Sequence, residues 1–436
     1  MALSARASPW RWVPTLYFAQ GIPYVVVMTL SVVMYKNLEV SNTDIALYTS
    51  WLYLPWVIKP LWSPIVDMLR EKRWWIVTLQ ALIGASLALA ALAIPMPHFF
   101  QLTLAVFWLM AFSSATHDIA ADGFYMLALP ERTQAAFVGV RSTFYRLAMI
   151  AGQGGLVVLA GTLRDASGSF TQAWSVVFFV LAAMFLAASL LHQVMLPRPV
   201  ADHAAPRSAA FVADFFAVFA AFFRKKDIVR VLAFLLLYRF AEAQLLKLAA
   251  PFLLDARSVG GLGLTTQQLG IVYGTFGVLA LTVGGILGGV YISRVGLKRA
   301  LWPLLLAMHV PNLAYVALAA WLPESLWFVG GAIAVEQFGY GFGFTAYMVA
   351  MLMIASQNPE HRSAHYAICT GFMALGMMLP GMASGWLQAQ LGYTNFFVWV
   401  CIATLPSFAA AAWLKIDPDF GLRVRDPGES EDAAAR

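Results

Sequence analysis

Twelve apolar runs, separated by short polar turns, leave this chain few folds to choose from. They fall near residues 12–34, 45–66, 74–95, 99–122, 137–162, 172–195, 228–254, 267–293, 298–321, 325–355, 364–388 and 393–415. A helix needs roughly 20 apolar residues to cross the hydrocarbon core of a bilayer. Composition points the same way. Of 436 residues 61% are hydrophobic and 11% charged, against roughly 25% charged in a soluble domain. The reading is an all-α integral membrane protein of twelve transmembrane helices. The first run is too long for a signal-peptide core and is not followed by a small-x-small cleavage site, so it reads as the first crossing. The net charge of +6 comes from Lys and Arg scattered between apolar runs, not from a nucleic-acid surface. Cys369 and Cys401 each lie inside an apolar run and read as reduced packing residues.

The longest polar interruption is 196–227, with Pro197, Pro199, Pro206 and the run Arg224-Lys225-Lys226-Asp227. It splits the crossings six and six. The expected domains are a six-helix half over 1–195, a central loop over 196–227, a second half over 228–415 and a tail over 416–436. Within the loop, 211–223 is apolar on one side and is expected to lie on the membrane surface. The tail ends Glu429-Ser430-Glu431-Asp432 and is expected to be disordered. Of the 28 Lys and Arg, twenty fall in the connections of one side, three on the other and five inside crossings. The positive-inside rule then puts both termini and the central loop in the cytoplasm.

Nine charges inside the crossings have to be made tolerable: Lys59, Arg141, Arg146, Arg239, Lys247, Asp118, Asp122, Glu242 and Glu336. A charge in hydrocarbon costs several kcal/mol unless it is paired, wet or neutralised, and the near balance of signs suggests pairing across a polar cavity. Asp118 and Asp122, in Asp118-Ile119-Ala120-Ala121-Asp122, share one helical face. Arg146 is the expected partner of Asp118, and Arg132 or Arg141 that of Asp122. Lys59 is placed to bind substrate or to snorkel to the interface. Arg239 and Glu242 are three apart and can pair locally. Glu336 sits mid-crossing. It is expected to carry the coupling proton with Asp118 and Glu242, the alternative being a permanent salt bridge to Arg239 or Lys247.

His117 and His309 stand alone and read as packing or hydrogen-bonding residues. No His, Cys and Asp cluster has metal spacing, and no phosphate-cradling loop is present, so neither metal nor cofactor is expected. Gly339, Gly341 and Gly343 mark close helix packing or a flexible, gating helix. Gln20-Gly21-Ile22-Pro23 breaks the first crossing, because Pro removes a backbone hydrogen bond, and this exposes Gln20 to substrate. Aromatics near the middle of crossings, Tyr340 among them, are candidates to stack on sugar rings.

Two short basic loops, Trp62 to Arg73 and Gly288 to Arg299, occupy equivalent places in the two halves. They resemble, in part, the major facilitator loop signature Gly-x-x-x-Asp-x-x-Gly-Arg-Lys/Arg. The first keeps Asp67 and the second keeps Gly289, Gly296 and Lys298-Arg299. Further segments resemble the AmpG-type muropeptide permeases of that superfamily, relatives of acetyl-CoA transporters. They are Gly21-Ile22-Pro23, Lys59-Pro60-Leu61-Trp62-Ser63-Pro64-Ile65-Val66-Asp67, Asp118-Ile119-Ala120-Ala121-Asp122, Tyr145-Arg146-Leu147, Tyr238-Arg239-Phe240-Ala241-Glu242 and Glu336-Gln337-Phe338-Gly339-Tyr340-Gly341.

The resemblance implies a major facilitator fold and proton-coupled import of anhydromuropeptides across the bacterial inner membrane. That import serves cell-wall recycling linked to beta-lactamase induction. The protein is expected to be a monomer in the bilayer whose partners are a small solute and protons. The expected substrate-binding residues are Gln20, Lys59, Arg146, Arg239, Lys247, Gln337 and Tyr340, and the expected gating residues are Asp67, Asp122 and Arg141. His117, Gln337 and Lys247 depart from the family pattern and open the way to another anionic solute, an acyl-CoA, a peptide or a siderophore. A membrane-embedded transferase is the remote alternative. Its one candidate pair is His117 with Asp118, and adjacent residues point about 100° apart on a helix.

Overall fold

A computed structural model describes residues 8–204 and 209–422, with the side chains of Asp67, Ala135 and 209–214 excepted. The first half is built from α1 (Pro9–Asn37), α2 (Asn42–Trp51), α3 (Leu54–Leu69), α4 (Lys72–Ala93), α5 (Phe99–Ala128), α6 (Glu131–Ser167) and α7 (Phe170–Met195). A linker helix, α8 (Ala209–Phe223), follows. The second half has α9 (Ile228–Leu237), α10 (Phe240–Leu254), α11 (Thr266–Val295), α12 (Leu297–Trp321), α13 (Leu326–Ser356), α14 (Arg362–Ile402) and α15 (Leu405–Trp413). Hydroxyls of Ser41, Ser169, Thr265 and Ser325 cap α2, α7, α11 and α13 by accepting a first-turn N–H.

Nine described stretches are long and apolar enough to cross a membrane. The last, Pro359–Trp413, contains the eleventh and twelfth expected crossings, joined where Gly392 turns the chain at φ 73°. The expected second and seventh crossings are each two helices. One breaks at Leu52 and Tyr53 between α2 and α3, the other at Tyr238 and Arg239 between α9 and α10. Twelve crossings in two halves result. Large apolar side chains line the outside, Leu190, Val194 and Trp327 among them, as expected of a surface that meets lipid chains.

The central loop is tied down. Both carboxylate oxygens of Asp202 accept the first backbone N–H groups of α4, from Lys72 at 2.8 Å and Arg73 at 3.0 Å. Lys225 donates to Ile354 O and Asn358 Oδ1 at the C-terminal end of α13. The described part of α8 does not lie free on a membrane surface. It packs on α14, with the Phe222 ring buried against Phe372 and His365. The start of the expected tail is also placed. Phe420 O accepts from Leu297 N at 2.9 Å, and Ile416 and Phe420 pack against the second half, because the first turn of α12 offers free N–H groups and an apolar flank. Residues 423–436 lie outside the described residues.

In lipid, association of helices rests on close packing, which small residues permit. The alternating glycines of α13 follow that logic. Gly339 and Gly343 lie against α12 at Ala307 O and Leu304 O, and Gly341 against α11 at Leu281 O. A flexible segment is not needed to explain them. A Cβ on Gly341 would come 2.0 Å from Leu281 O, whereas one on Gly331 would meet nothing within 4 Å. Gly341→Leu is therefore expected to lower the melting temperature of the detergent-solubilised protein by several degrees, from overpacking worth about 1–3 kcal/mol. Gly331→Leu should leave it unchanged. A thermal-shift assay on both variants checks this.

Candidate functional site

A cavity of about 140 Å³ lies between the halves. Its walls coincide with the places where the helices are irregular. α1, α6 and α11 each contain a stretch of wide turns: Val26–Leu30, Ala151–Leu156 and Gly270–Gly277. Met28 and Thr29, Gln153, and Tyr273 reach the cavity from those stretches. Tyr53 and Arg239 reach it from the two helix breaks. Wide turns cluster at functional sites, and irregular backbone survives at membrane depth only where protein or a cavity satisfies it. The Pro23 break in α1 is displaced by one turn. The helix continues through Pro23, and the wide turn follows at Val26.

The Arg239 guanidinium hydrogen-bonds the Tyr340 hydroxyl, lies 4.6 Å from the centre of the Phe344 ring, and leaves Nε without a partner. Lys247 Nζ donates to Thr49 Oγ1 at 3.0 Å and lies 5.5 Å from the Tyr53 ring. Among the described residues neither cation is ion-paired to a carboxylate, and both face the cavity. Gln337 and Tyr340 join them there, with Tyr24, Tyr53 and Tyr273. Nearness to a proline or to an odd polar residue within an apolar run was the only sequence signal for these.

Gln20, Lys59 and Arg146 do not line the cavity. Each lies about one or two turns nearer the terminus-bearing end than the cavity residues of its own crossing, namely Tyr24, Tyr53 and Met149. Asp118 is paired differently from expectation. Its Oδ2 accepts from Trp56 Nε1 at 3.1 Å and lies 3.9 Å from Lys59 Nζ. Trp56 and Lys59 are three apart on α3 and meet α5 together. Arg146 instead crosses to the other half and donates to Thr282 Oγ1 at 3.3 Å.

Asp122 pairs with Arg141 at 2.7 Å and accepts from Tyr17 at 3.2 Å. The Arg141 guanidinium sits over both the Tyr17 and Tyr125 rings, at 4.3 and 4.5 Å. All four residues belong to the first half, so this pair fastens α5 to α6. The Asp67 side chain lies outside the described residues. His117 turns away from Asp118 to a buried chain of hydrogen bonds through Gln80 to His192, and does not converge with it on a reacting atom.

The two acids of the second half have no basic partner among the described Lys and Arg. Glu336 is fully buried and accepts from Gln337 Nε2 at 2.9 Å. No salt bridge to Arg239 or Lys247 forms, because those side chains turn toward the cavity from α10. Glu242 does not pair with Arg239 either. It accepts from Asn312 Nδ2 at 2.9 Å and lies 3.4 Å from His309 Nδ1. His309 is thus not a lone packing residue.

At the end of the bundle away from the termini, polar contacts that no sequence pattern marks bind the halves together. Lys36 and Asp255 pair at 2.5 Å. Asn42 donates to Tyr393 and Gln388, and Tyr393 to Asp255. Asn37 donates to Thr266, and Gln267 bonds Asp165. At the other end α3 rests on α14 through backbone and apolar contact, with Gly371 under Val57 O.

A cavity at the junction of two six-helix halves, walled by broken helices and closed at one end, is the layout of a secondary transporter. The family model described as Major Facilitator Superfamily matches residues 15–358, and the chain belongs to that family. It is a multi-pass membrane transporter. Its relatives bear out the AmpG-type resemblance. The anhydromuropeptide permease of Escherichia coli K12 is 26% identical over 90% of this chain and 76% of that protein. A putative transporter AmpG 4 of Rickettsia conorii is 25% identical over 92% of this chain and 95% of its own length. Among solved structures, the nucleoside transporter NupG superposes with a TM-score of 0.68 at 18% identity, over 92% of this chain and 99% of its own.

The Lys36–Asp255 pair makes the closed end testable. In a background with Cys369 and Cys401 replaced by Ser, a membrane-impermeant maleimide applied from that end should label Tyr273→Cys slowly. Adding Asp255→Asn should speed labelling several-fold. Equal rates would show that the pair does not hold the halves together.

Proposed function

We propose that this transporter imports anhydromuropeptides together with protons across the bacterial inner membrane, as a monomer with both termini in the cytoplasm. The composition of the cavity carries the reading. Arg239 and Lys247 face it without a carboxylate partner among the described residues, beside the rings of Tyr24, Tyr53, Tyr273 and Tyr340. Guanidinium and ammonium groups suit the carboxylates of a stem peptide, and phenol rings suit the faces of sugars. The relative in Escherichia coli supports the same substrate class.

In this reading Arg239, Lys247, Gln337 and Tyr340 bind solute. Gln20, Lys59 and Arg146 line its way to the terminus-bearing end. Glu336, Glu242 and Asp118 take up and release the proton. The gate is the Lys36–Asp255 cluster, with Asp122 and Arg141 bracing the first half. At about 140 Å³ the cavity is smaller than the roughly 300–1,000 Å³ of sites for drug-sized ligands. The halves must part to admit a disaccharide-peptide.

The same two cations also suit another anionic solute on the same fold, such as an acyl-CoA, a peptide or a siderophore. Uptake of labelled anhydromuropeptide into inverted and right-side-out vesicles, with and without a protonophore, separates the readings. Accumulation should collapse with the protonophore. Glu336→Gln should abolish accumulation while solute exchange persists. Arg239→Ala should raise KM about ten-fold or more, the loss of a charged hydrogen bond worth roughly 1.5–3 kcal/mol. Gradient-driven accumulation by Glu336→Gln at the wild-type level would sink its role. Absent uptake with binding of CoA esters would move the substrate to the second reading.

A further inference from the structure

Of thirteen buried side-chain nitrogen and oxygen atoms without a hydrogen-bond partner among the described residues, six lie in one place. They are Glu242 Oε2, both ring nitrogens of His309, Asn312 Oδ1, Tyr315 OH and Glu336 Oε1. Buried polar atoms are nearly always satisfied, so such a concentration asks for an explanation. The residues come from α10, α12 and α13, and Glu242, Asn312, Tyr315 and Glu336 have no exposed surface. The cluster stands behind the cavity wall. Gln337, which lines the cavity, holds Glu336 at 2.9 Å.

We propose that Glu242, His309, Asn312 and Glu336 form a proton-binding site in which the proton passes between the Glu242 carboxyl and the His309 imidazole. The proposal rests on the proton-coupled reading above. In the transfer the carboxyl O–H bond breaks, the proton bonds to Nδ1, and a carboxylate beside an imidazolium results. The 3.4 Å separation of Nδ1 from Glu242 Oε1 needs only a small approach to become a hydrogen bond.

Asn312, fixed by its amide donor on Glu242 Oε1, orients that carboxyl. Glu336 shares the pocket from α13, and two carboxylates held there would repel one another. The remaining titratable groups around the pair are Tyr273 of α11, Tyr315 of α12, Tyr340 of α13, Cys401 of α14 and Tyr238 beside the α9–α10 break. Arg239 lies on the cavity side, bonded to Tyr340. An oxygen-only pocket would suit an alkali cation. The imidazole with two free nitrogens favours the proton.

Dicyclohexylcarbodiimide reacts with protonated carboxyls in apolar sites, and peptide mass spectrometry locates its adducts. In the purified full-length protein at neutral pH, Glu242 should label slowly. In His309→Gln the proton has no imidazole to move to. Labelling of Glu242 at neutral pH should then rise about ten-fold. His309→Asn serves as a second variant, and only protein with the wild-type elution profile is scored. Unchanged labelling in the folded variants would overturn the proposal. Protection of Glu242 by sodium chloride but not choline chloride at fixed pH would also overturn it, and would give the pocket to an alkali cation. No solute enters this measurement. A failed muropeptide assay with the expected labelling would sink the substrate reading alone.

Discussion

Charge held inside an apolar bundle is the constraint on which the rest of this structure depends. Of the nine charges in its crossings, Arg146 donates to Thr282 across the halves, and the other eight are accommodated in four ways that differ in how firmly each is satisfied. Asp122 and Arg141 pair directly and are clamped between two tyrosine rings. Asp118 is half-buried, bonded to an indole, with Lys59 at a looser 3.9 Å. Arg239 and Lys247 are held by hydroxyls and ring faces and keep their charge available to the cavity. Glu242 and Glu336 have amides and an imidazole, and no cation of fixed charge among the described residues. A directly bonded pair has little reason to change state. A carboxyl held only by an amide keeps the cost of burying its charge, which no lysine or arginine offsets among the described residues.

The backbone tells the same story. A transmembrane helix that keeps every hydrogen bond presents a smooth wall with no polar main-chain group to offer. The crossings that surround the cavity do not keep them all. Wide turns in α1, α6 and α11, and breaks ahead of α3 and α10, deliver Met28, Gln153, Tyr273, Tyr53 and Arg239 to one volume. Regular crossings such as α4 and α7 contribute no lining residue to it. The irregular helices supply most of the lining, the regular α13 adds Gln337 and Tyr340, and its glycines set how near α11 and α12 can come.

The crossings were readable because bilayer thickness imposes their length, and a hydrophobic run of that length has few other meanings. The break at Tyr238 and Arg239 was not, because an apolar run reads the same whether its helix is whole or broken. The charges inside the crossings announced themselves for the same reason that makes them costly. Of their partners only that of Asp122, Arg141, was among those expected. Whether Asp118 meets Arg146 or Lys59 depends on how far each helix is rotated about its axis, and a run apolar on nearly all sides carries little record of that rotation. The partners of His309 were not legible because Glu242 and Asn312 come near it only through the packing of α10 on α12. Lys36, Asn42 and Asp255 lie at or just beyond helix ends, where polar residues are unremarkable in sequence and acquire meaning only from the helix end opposite.

These pieces constrain one another. The polar contacts between halves gather at the end away from the termini, where hydrogen bonds and an ion pair join helix ends and the turn at Asp255. Opening that end trades them for water and leaves the interior of each half packed. Within each half, helices meet through buried apolar side chains and glycine approaches such as Gly341 at Leu281 O, and the halves add approaches of their own, Gly274 at Gln153 O and Gly385 at Asn42 O. A rocking of whole halves about the cavity keeps the first set and releases only the second. Glu242, His309 and Glu336 all belong to the second half, and their mutual geometry survives such a rocking. The cavity wall beside Gln337 does not, because Tyr24, Tyr53 and Gln153 leave with the first half. Opening thus changes what Glu336 faces without rearranging what holds it, and in this way a rigid half can report on a moving boundary.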